Sequence, residues 1–189
     1  RGLKGVRLLI SDACQGLVEC LGEFYGEARW QRCMVHWQRN VQSVTPKGKS
    51  KEVAAMLKAI HAQEDHEAAQ AKVEDVRQKL EAMKLGQEAK LVGESAHETL
   101  TYVHFPREHW RRIRTNNPLE RVMKEVRRRT KVVGAFPDGQ SAMMLCAARL
   151  RHVAGTKWGT RRYLDLSRLR ELDAEQADAA ATASYAAAG

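Results

Sequence analysis

The sequence predicts an α/β protein with an all-helical insertion and a helical C-terminal part. Three observations carry that reading. Val6-Arg7-Leu8-Leu9-Ile10 is a short apolar run ending at Ser11-Asp12, the pattern of a strand in a sheet covered on both faces. Arg29 to Val35, Arg-Trp-Gln-Arg-Cys-Met-Val, is a second short strand candidate. Between Ser50 and Val103 the apolar residues recur at helical spacing, with no strand signal among them.

Taken in order, the first strand is followed by Gly16 to Phe24, where Leu17, Leu21 and Phe24 share one helical face and Gly26 closes the helix. After the second strand, His36 to Val44 reads as a helix with Trp37, Val41 and Val44 on one side, ended by Pro46-Lys47-Gly48. The insertion shows three stripes: Val53, Leu57 and Ile60; Val73, Val76, Leu80 and Met83; and the weaker Ala89, Val92, Ala96 and Val103. Breaks are expected near Glu64-Asp65 and at Gly86. His104-Phe105-Pro106 is a loop, and Glu108 to Arg114 a helical turn. A helix then runs from Pro118 to about Thr130. Val132-Val133-Gly134 and Phe136-Pro137-Asp138-Gly139 form a linker, and Ser141 to Val153 is a further helix with Gly155 beyond its end. From Ala174 the chain is Ala-rich without an apolar face and reads as a frayed or disordered tail.

The 189 residues are enough for one domain of ordinary size with a small insert, and 43% hydrophobic content can build a core. No apolar run is long enough to span a membrane and no leader pattern is visible. Cys14, Cys20, Cys33 and Cys146 form no CxxC pair, which suits a reducing, cytoplasmic setting. Charge is unevenly spread. From Arg107 to Lys131 there are ten Lys/Arg against three Asp/Glu, a net of +7 out of the chain's +9. A localised basic stripe is the footprint of a polyanion partner, most simply nucleic acid, although such a run is also found as a solvated helix face. Arg127, Arg128, Arg129 and Lys131 cover most of a helix circumference, so they suit phosphate contacts rather than base reading.

Two acids stand out. Asp12 ends the first strand, where open α/β sheets place their ligands. Glu120 lies inside the basic stripe, 108 positions later. One reading makes Glu120 a capping acid: with Asn117 as N-cap and Pro118 at the first helical position, it falls at N3. The other makes Asp12 and Glu120 hard oxygen ligands for Mg²⁺ or Mn²⁺ beside DNA phosphate, two such ions being able to clamp a phosphodiester displacement. Cys33 and His36 form a C-x2-H pair, two ligands where structural zinc takes four. The bland alternative is a buried strand cysteine and a helix-start histidine. The four tryptophans, Trp30, Trp37, Trp110 and Trp158, read as core before stacking platforms.

Longer motifs add to this. Ile10-Ser11-Asp12-Ala13 occurs with Gly16-Leu17, and Trp30-Gln31-Arg32-Cys33-Met34-Val35-His36 with Arg39-Asn40-Val41. Arg114-Thr115-Asn116-Asn117 precedes Glu120-Arg121; Arg127-Arg128-Arg129-Thr130-Lys131-Val132-Val133-Gly134 precedes Phe136-Pro137-Asp138; and Arg149-Leu150-Arg151-His152-Val153-Ala154-Gly155-Thr156 precedes Trp158-Gly159. In this order, over nearly the whole chain to about Leu169, they closely resemble the Mutator-type bacterial insertion-sequence transposases. The resemblance implies an RNase H-like core, partial here and without its N-terminal strands, with a helical insertion before the last catalytic element. Residues 1–47 would be the second part of that core, 48–104 the insertion, 105–170 the last catalytic helix and those after it, and 171–189 the tail.

The resemblance also implies a DDE site that cuts and rejoins DNA with Mg²⁺ or Mn²⁺. Asp12 matches the family's second catalytic Asp, Glu120 its catalytic Glu, and Cys33 and His36 its C-x2-H motif; His36 would contact phosphate or orient a metal-bound water. The first catalytic Asp belongs to an earlier strand that this sequence does not supply, so the chain alone is expected to be inactive. Arg114, Asn116, Asn117, Arg121, Arg127, Arg128, Arg129 and Lys131 are the expected DNA contacts, with Arg114 and Arg121 nearest the scissile phosphate. The expected partners are transposon-end and target DNA and further copies of the chain, with no membrane. The alternative function is a truncated, catalytically inactive DNA-binding remnant; a helical structural protein with a basic face would leave the charge clustering unexplained.

Overall fold

The computed structural model describes residues 4–161 and 163–174, which fall into two compact units. One holds the chain up to Thr115 together with the residues from Leu166 on; the other is Asn116–Asp165. The Ala-rich stretch from residue 175 lies outside the described residues.

In the first unit, strand β1 (Leu8–Ser11) is followed by helix α1 (Gln15–Phe24) and strand β2 (Arg29–Arg32). The strands pair in parallel, with Leu8 opposite Arg29 and Ser11 opposite Arg32. The Arg29 N–H donates to the Arg7 carbonyl (2.9 Å) and the Cys33 N–H to the Ser11 carbonyl (2.6 Å) at the two ends of the ladder. The β-α-β order is as the sequence predicts, but the expected double cover of β1 is incomplete. Leu8, Leu9 and Ile10 are half-buried, because α1 buries none of its residues and leaves Leu17 and Phe24 exposed. The second strand is also shorter than expected. Cys33 is already the N-cap of helix α2 (Met34–Val44), so Met34 and Val35 are helical. Aromatic and β-branched residues suit either state, and here the buried face of Trp37 and Val41 continues helically through this junction.

The insertion supplies the core. Helices α3 (Ser50–Ile60), α4 (His66–Ala82) and α5 (Gly86–Ser95) bury Val53, Leu57 and Ile60; Ala69, Val76 and Leu80; and Ala89 and Val92 against Trp37 and Val41 of α2. Full burial of a Leu, Ile or Val side chain contributes about 1.5–3 kcal/mol. These residues are the i, i+3, i+4 stripes of the sequence, and Leu100 and Tyr102 complete the cluster from the following 3₁₀ turns. The first break falls where expected: Asp65 caps α4, accepting from the Ala68 N–H at 2.8 Å. The second does not use Gly86, which is the first residue of α5. Lys84 takes the left-handed conformation (φ 61°) instead. Its N–H reaches the Glu81 carbonyl and the Leu85 N–H the Leu80 carbonyl, both at 2.9 Å, a Schellman closure. Helix α6 (Trp110–Ile113) ends this part, and the chain returns in a helix over 166–174. That helix is held to the unit by a bidentate Arg7–Asp173 pair and an Arg168–Glu108 pair.

The second unit contains helix α7 (Asn117–Val133), helix α8 (Gly139–Ala154) and the short α9 (Lys157–Thr160). α7 runs three residues past the expected end: Val132 and Val133 are helical, and Gly134 with φ 77° stops the helix. Asp138 caps α8, accepting from the Ser141 N–H at 2.6 Å. α7 and α8 are tied by Glu125, which accepts from Arg128 at 3.1 Å and from Arg149 at 2.7 Å. None of the described residues of this unit is fully buried, and Leu119, Met123, Val132, Met143 and Met144 are exposed.

Candidate functional site

Asp12 lies directly after β1, exposed, at the carboxyl end of the parallel pair. The residue before it is fixed. Ser11 is buried, its hydroxyl accepts from Trp30 Nε1 at 2.9 Å and donates to the Asp12 carbonyl at 2.7 Å, and its own carbonyl accepts the Cys33 N–H. A strand end held this way presents the Asp12 carboxylate to solvent from a rigid root.

The C-x2-H segment sits on the other side of that hydrogen bond. Cys33 is fully buried, and His36 is half-buried in the first turn of α2. Among the described residues no three His, Cys, Asp or Glu groups gather as a metal site. The successive amides of this junction hold two distant segments. The Cys33 N–H donates to Ser11, next to Asp12, and the Met34 N–H donates to the Arg114 carbonyl at 3.1 Å. Beside them Gln31, buried in β2, donates from Nε2 to the Ile113 carbonyl at 2.8 Å.

Arg114 is therefore bound through its backbone, and its side chain also turns inward. Nη1 donates to the His61 carbonyl at 3.2 Å, and the guanidinium charge acts on the Tyr102 hydroxyl nearby. Burial is the main cause that raises the Tyr102 pKa, and Arg114 works against it. His61 is buried between Trp37 and Tyr102, and burial, with the Arg114 charge beside it, lowers its pKa to about 3.

In the second unit Asn116 is the N-cap of α7 and half-buried, Asn117 is N1 and exposed, and Pro118 is N2. The helix starts one residue earlier than expected, which puts Glu120 at N4, one position beyond the capping-box site. Its N–H makes the first helical bond, to the Asn116 carbonyl at 3.1 Å. The Glu120 side chain is half-buried. Arg121 lies over the Trp158 ring at 5.2 Å, so that tryptophan is a stacking partner of a cation within the unit. Arg127, Arg128, Arg129 and Lys131 are all exposed along α7. The hydrogen bond from Arg128, then that from Arg149, lowers the Glu125 pKa to about 2, so it stays ionised and offsets part of the local positive charge.

Sequence reasoning missed Gln31, His61, Tyr102 and Glu125 as parts of this arrangement. Gln31 carried a usable signal: a polar residue in a short strand between partly apolar neighbours must find a partner if it is buried. His61 and Tyr102 depend on partners tens of residues away, and Glu125 joins the nearby Arg128 to the distant Arg149.

The family profile described as "Transposase, Mutator family" matches residues 1–158. The transposase for insertion sequence element IS1081 of Mycobacterium tuberculosis is 40% identical over 168 residues, 88% of this chain and 40% of that protein. The transposase for ISRM5 of Rhizobium meliloti is 34% identical over 171 residues, 90% of this chain and 43% of that protein. The transposase for IS256 in transposon Tn4001 of Staphylococcus aureus is 33% identical over 151 residues, 79% and 38%. The chain thus spans about two-fifths of the length of the curated relatives it matches. With the profile matching 158 of its 189 residues, this chain belongs to the Mutator family of transposases.

Proposed function

We propose that this chain is part of a DDE transposase with an RNase H-like catalytic core, which binds DNA, cleaves it and transfers strands. The observation that carries the reading is an exposed carboxylate, Asp12, rooted at the carboxyl end of a parallel strand, in a chain of this family whose α7 joins Glu120 to exposed guanidinium groups. Asp12 and Glu120 are oxygen donors of the class that Mg²⁺ and Mn²⁺ take, and they fit such an ion in chemistry though not in number, two carboxylates being short of a full site. Held by such carboxylates, the ion supplies Lewis-acid stabilisation of phosphodiester displacement.

The chain's own residues divide the remaining work. Arg127, Arg128, Arg129 and Lys131 neutralise backbone phosphates, which sets affinity and its salt dependence without reading bases. Arg121 is presented with its guanidinium over the Trp158 ring, a pre-organised cation near the start of α7. Ser11, Trp30 and the Cys33 amide hold the strand end from which Asp12 projects. Strand cleavage by the intact transposase on DNA carrying its element's ends, in Mg²⁺, tests the assignment. Asp12→Asn and Glu120→Gln are each expected to lower the rate by about a hundredfold or more, ~2.7 kcal/mol of barrier. Full activity in either variant refutes that residue's role.

A further inference from the structure

The basic residues before Glu120 do not all face solvent, and Arg114 is the exception that the hydrogen bonds single out. We propose that Arg114 is a positioning residue that bolts the exit of the chain into α7, and that it makes no phosphate contact. The segment Ile113-Arg114-Thr115 is held at three points. The Gln31 side chain donates to the Ile113 carbonyl (2.8 Å), the Met34 N–H donates to the Arg114 carbonyl (3.1 Å), and the Arg114 guanidinium donates to the His61 carbonyl (3.2 Å). Gln31, Ile113, Thr115 and His61, which flank these bonds, are buried, so access of water to the segment is restricted. Two residues later α7 begins, and Glu120 follows within its first turns.

The chemistry of the side chain favours this role. A guanidinium donates from a rigid plane, so Arg114 can hold the end of α3 while its own backbone is gripped by the β2–α2 junction. A guanidinium already committed to the His61 carbonyl would have to leave it unsatisfied to reach a phosphate. Arg127, exposed on α7, faces no such cost. The Cys33-Met34 junction acquires a role in the same way: one amide grips the residue before Asp12 and the next grips the segment that leads to Glu120.

The catalytic part of this inference rests on the reading of Glu120 as a site carboxylate, so the experiment separates the two. Arg114→Met, Arg114→Lys and Arg127→Met are made in the full chain. Binding to a short DNA duplex is measured across a salt series, and amide hydrogen exchange is measured at Met34. Arg127→Met is expected to lower the slope of log affinity against log salt by about one. Arg114→Met leaves the slope unchanged and raises Met34 exchange about tenfold or more, with the Leu57 and Val92 amides unaffected; Arg114→Lys recovers part of the Met34 protection. In the intact transposase, Arg114→Met lowers cleavage at saturating DNA while DNA affinity holds. A slope that falls by about one in Arg114→Met, or unchanged Met34 protection, overturns the proposal. A chain that binds no DNA refutes the functional reading and leaves the Met34 result to decide the bolt. Should Arg114→Met fail to fold, Arg114→Lys, which keeps the charge but loses the forked donor, is expected to raise Met34 exchange above that of the parent chain, and no rise overturns the proposal.

Discussion

His61 shows at the scale of one residue how burial turns a titratable group into a structural one. Its ring is buried, with Tyr102 Oη 3.5 Å from Nδ1 and Thr99 Oγ1 3.4 Å from Nε2, and it is held neutral with a pKa of about 3. In the unfolded chain a histidine titrates near 6.5. Between these values the unfolded state binds a proton that the native state refuses. Stability is therefore fully present above about pH 6.5 and falls as pH drops through the window, by at most about 1.4 kcal/mol per unit. Urea unfolding at pH 7, 6 and 5 measures the slope. His61→Gln is expected to show a shallower fall than the parent chain, and an equal slope in both would show that His61 titrates as it does in water. Nothing local marks His61 for this role, since Trp37, Thr99, Tyr102 and Arg114 lie 24 to 53 positions away in sequence. Arg114 is the parallel case: beside Thr115-Asn116-Asn117 it looks like one more cation of the basic run, and only its partners show that it points inward.

The helical elements show where local sequence was sufficient. Val53, Leu57 and Ile60, and Val76 with Leu80, were legible because a 3.6-residue period and burial are the same fact seen twice. The sheet was less so. β1 and β2 were found because short apolar runs flank a helical one, but Met34 and Val35 went to the wrong element, the helix start being decided by the buried face of α2. Of the candidate site, Asp12 at a strand end and the exposed row on α7 were readable, while the amide bonds that fix their roots were not. The two ends of α4 give a matched pair of expected effects. Asp65→Ala removes the cap bond to Ala68 and should cost about 1 kcal/mol. Lys84→Gly relieves an L-residue of its left-handed backbone (φ 61°) and should gain about 0.5–1 kcal/mol, the rest of the relief being lost to glycine's greater freedom when unfolded. Denaturant midpoints of the two variants should move in opposite directions, and a destabilising Lys84→Gly would mean that the Lys side chain itself contributes to the turn.

At the scale of the molecule, burial and charge are divided between the two units. The fully buried side chains, Trp37, Leu57, Ile60, Leu80 and Tyr102 among them, belong to the first unit, whereas none of the described residues of Asn116–Asp165 is fully buried. The exposed arginines of α7 belong to the second. Local opening free energy follows buried apolar contact, so the second unit should open at lower cost than the insertion. Amide hydrogen exchange of the free chain is expected to show weaker protection along α7 and α8 than along α3, α4 and α5. A ligand that binds only the ordered form stabilises it by mass action, and the α7 cations make duplex DNA that ligand on the proposed reading. Added duplex should then raise protection in α7 at low salt and release it as salt rises, with Leu57 and Val92 unchanged throughout. Equal protection in both units of the free chain would contradict the link drawn here between burial and local stability. A DNA-induced rise that ignores salt would contradict phosphate contact by Arg127, Arg128, Arg129 and Lys131.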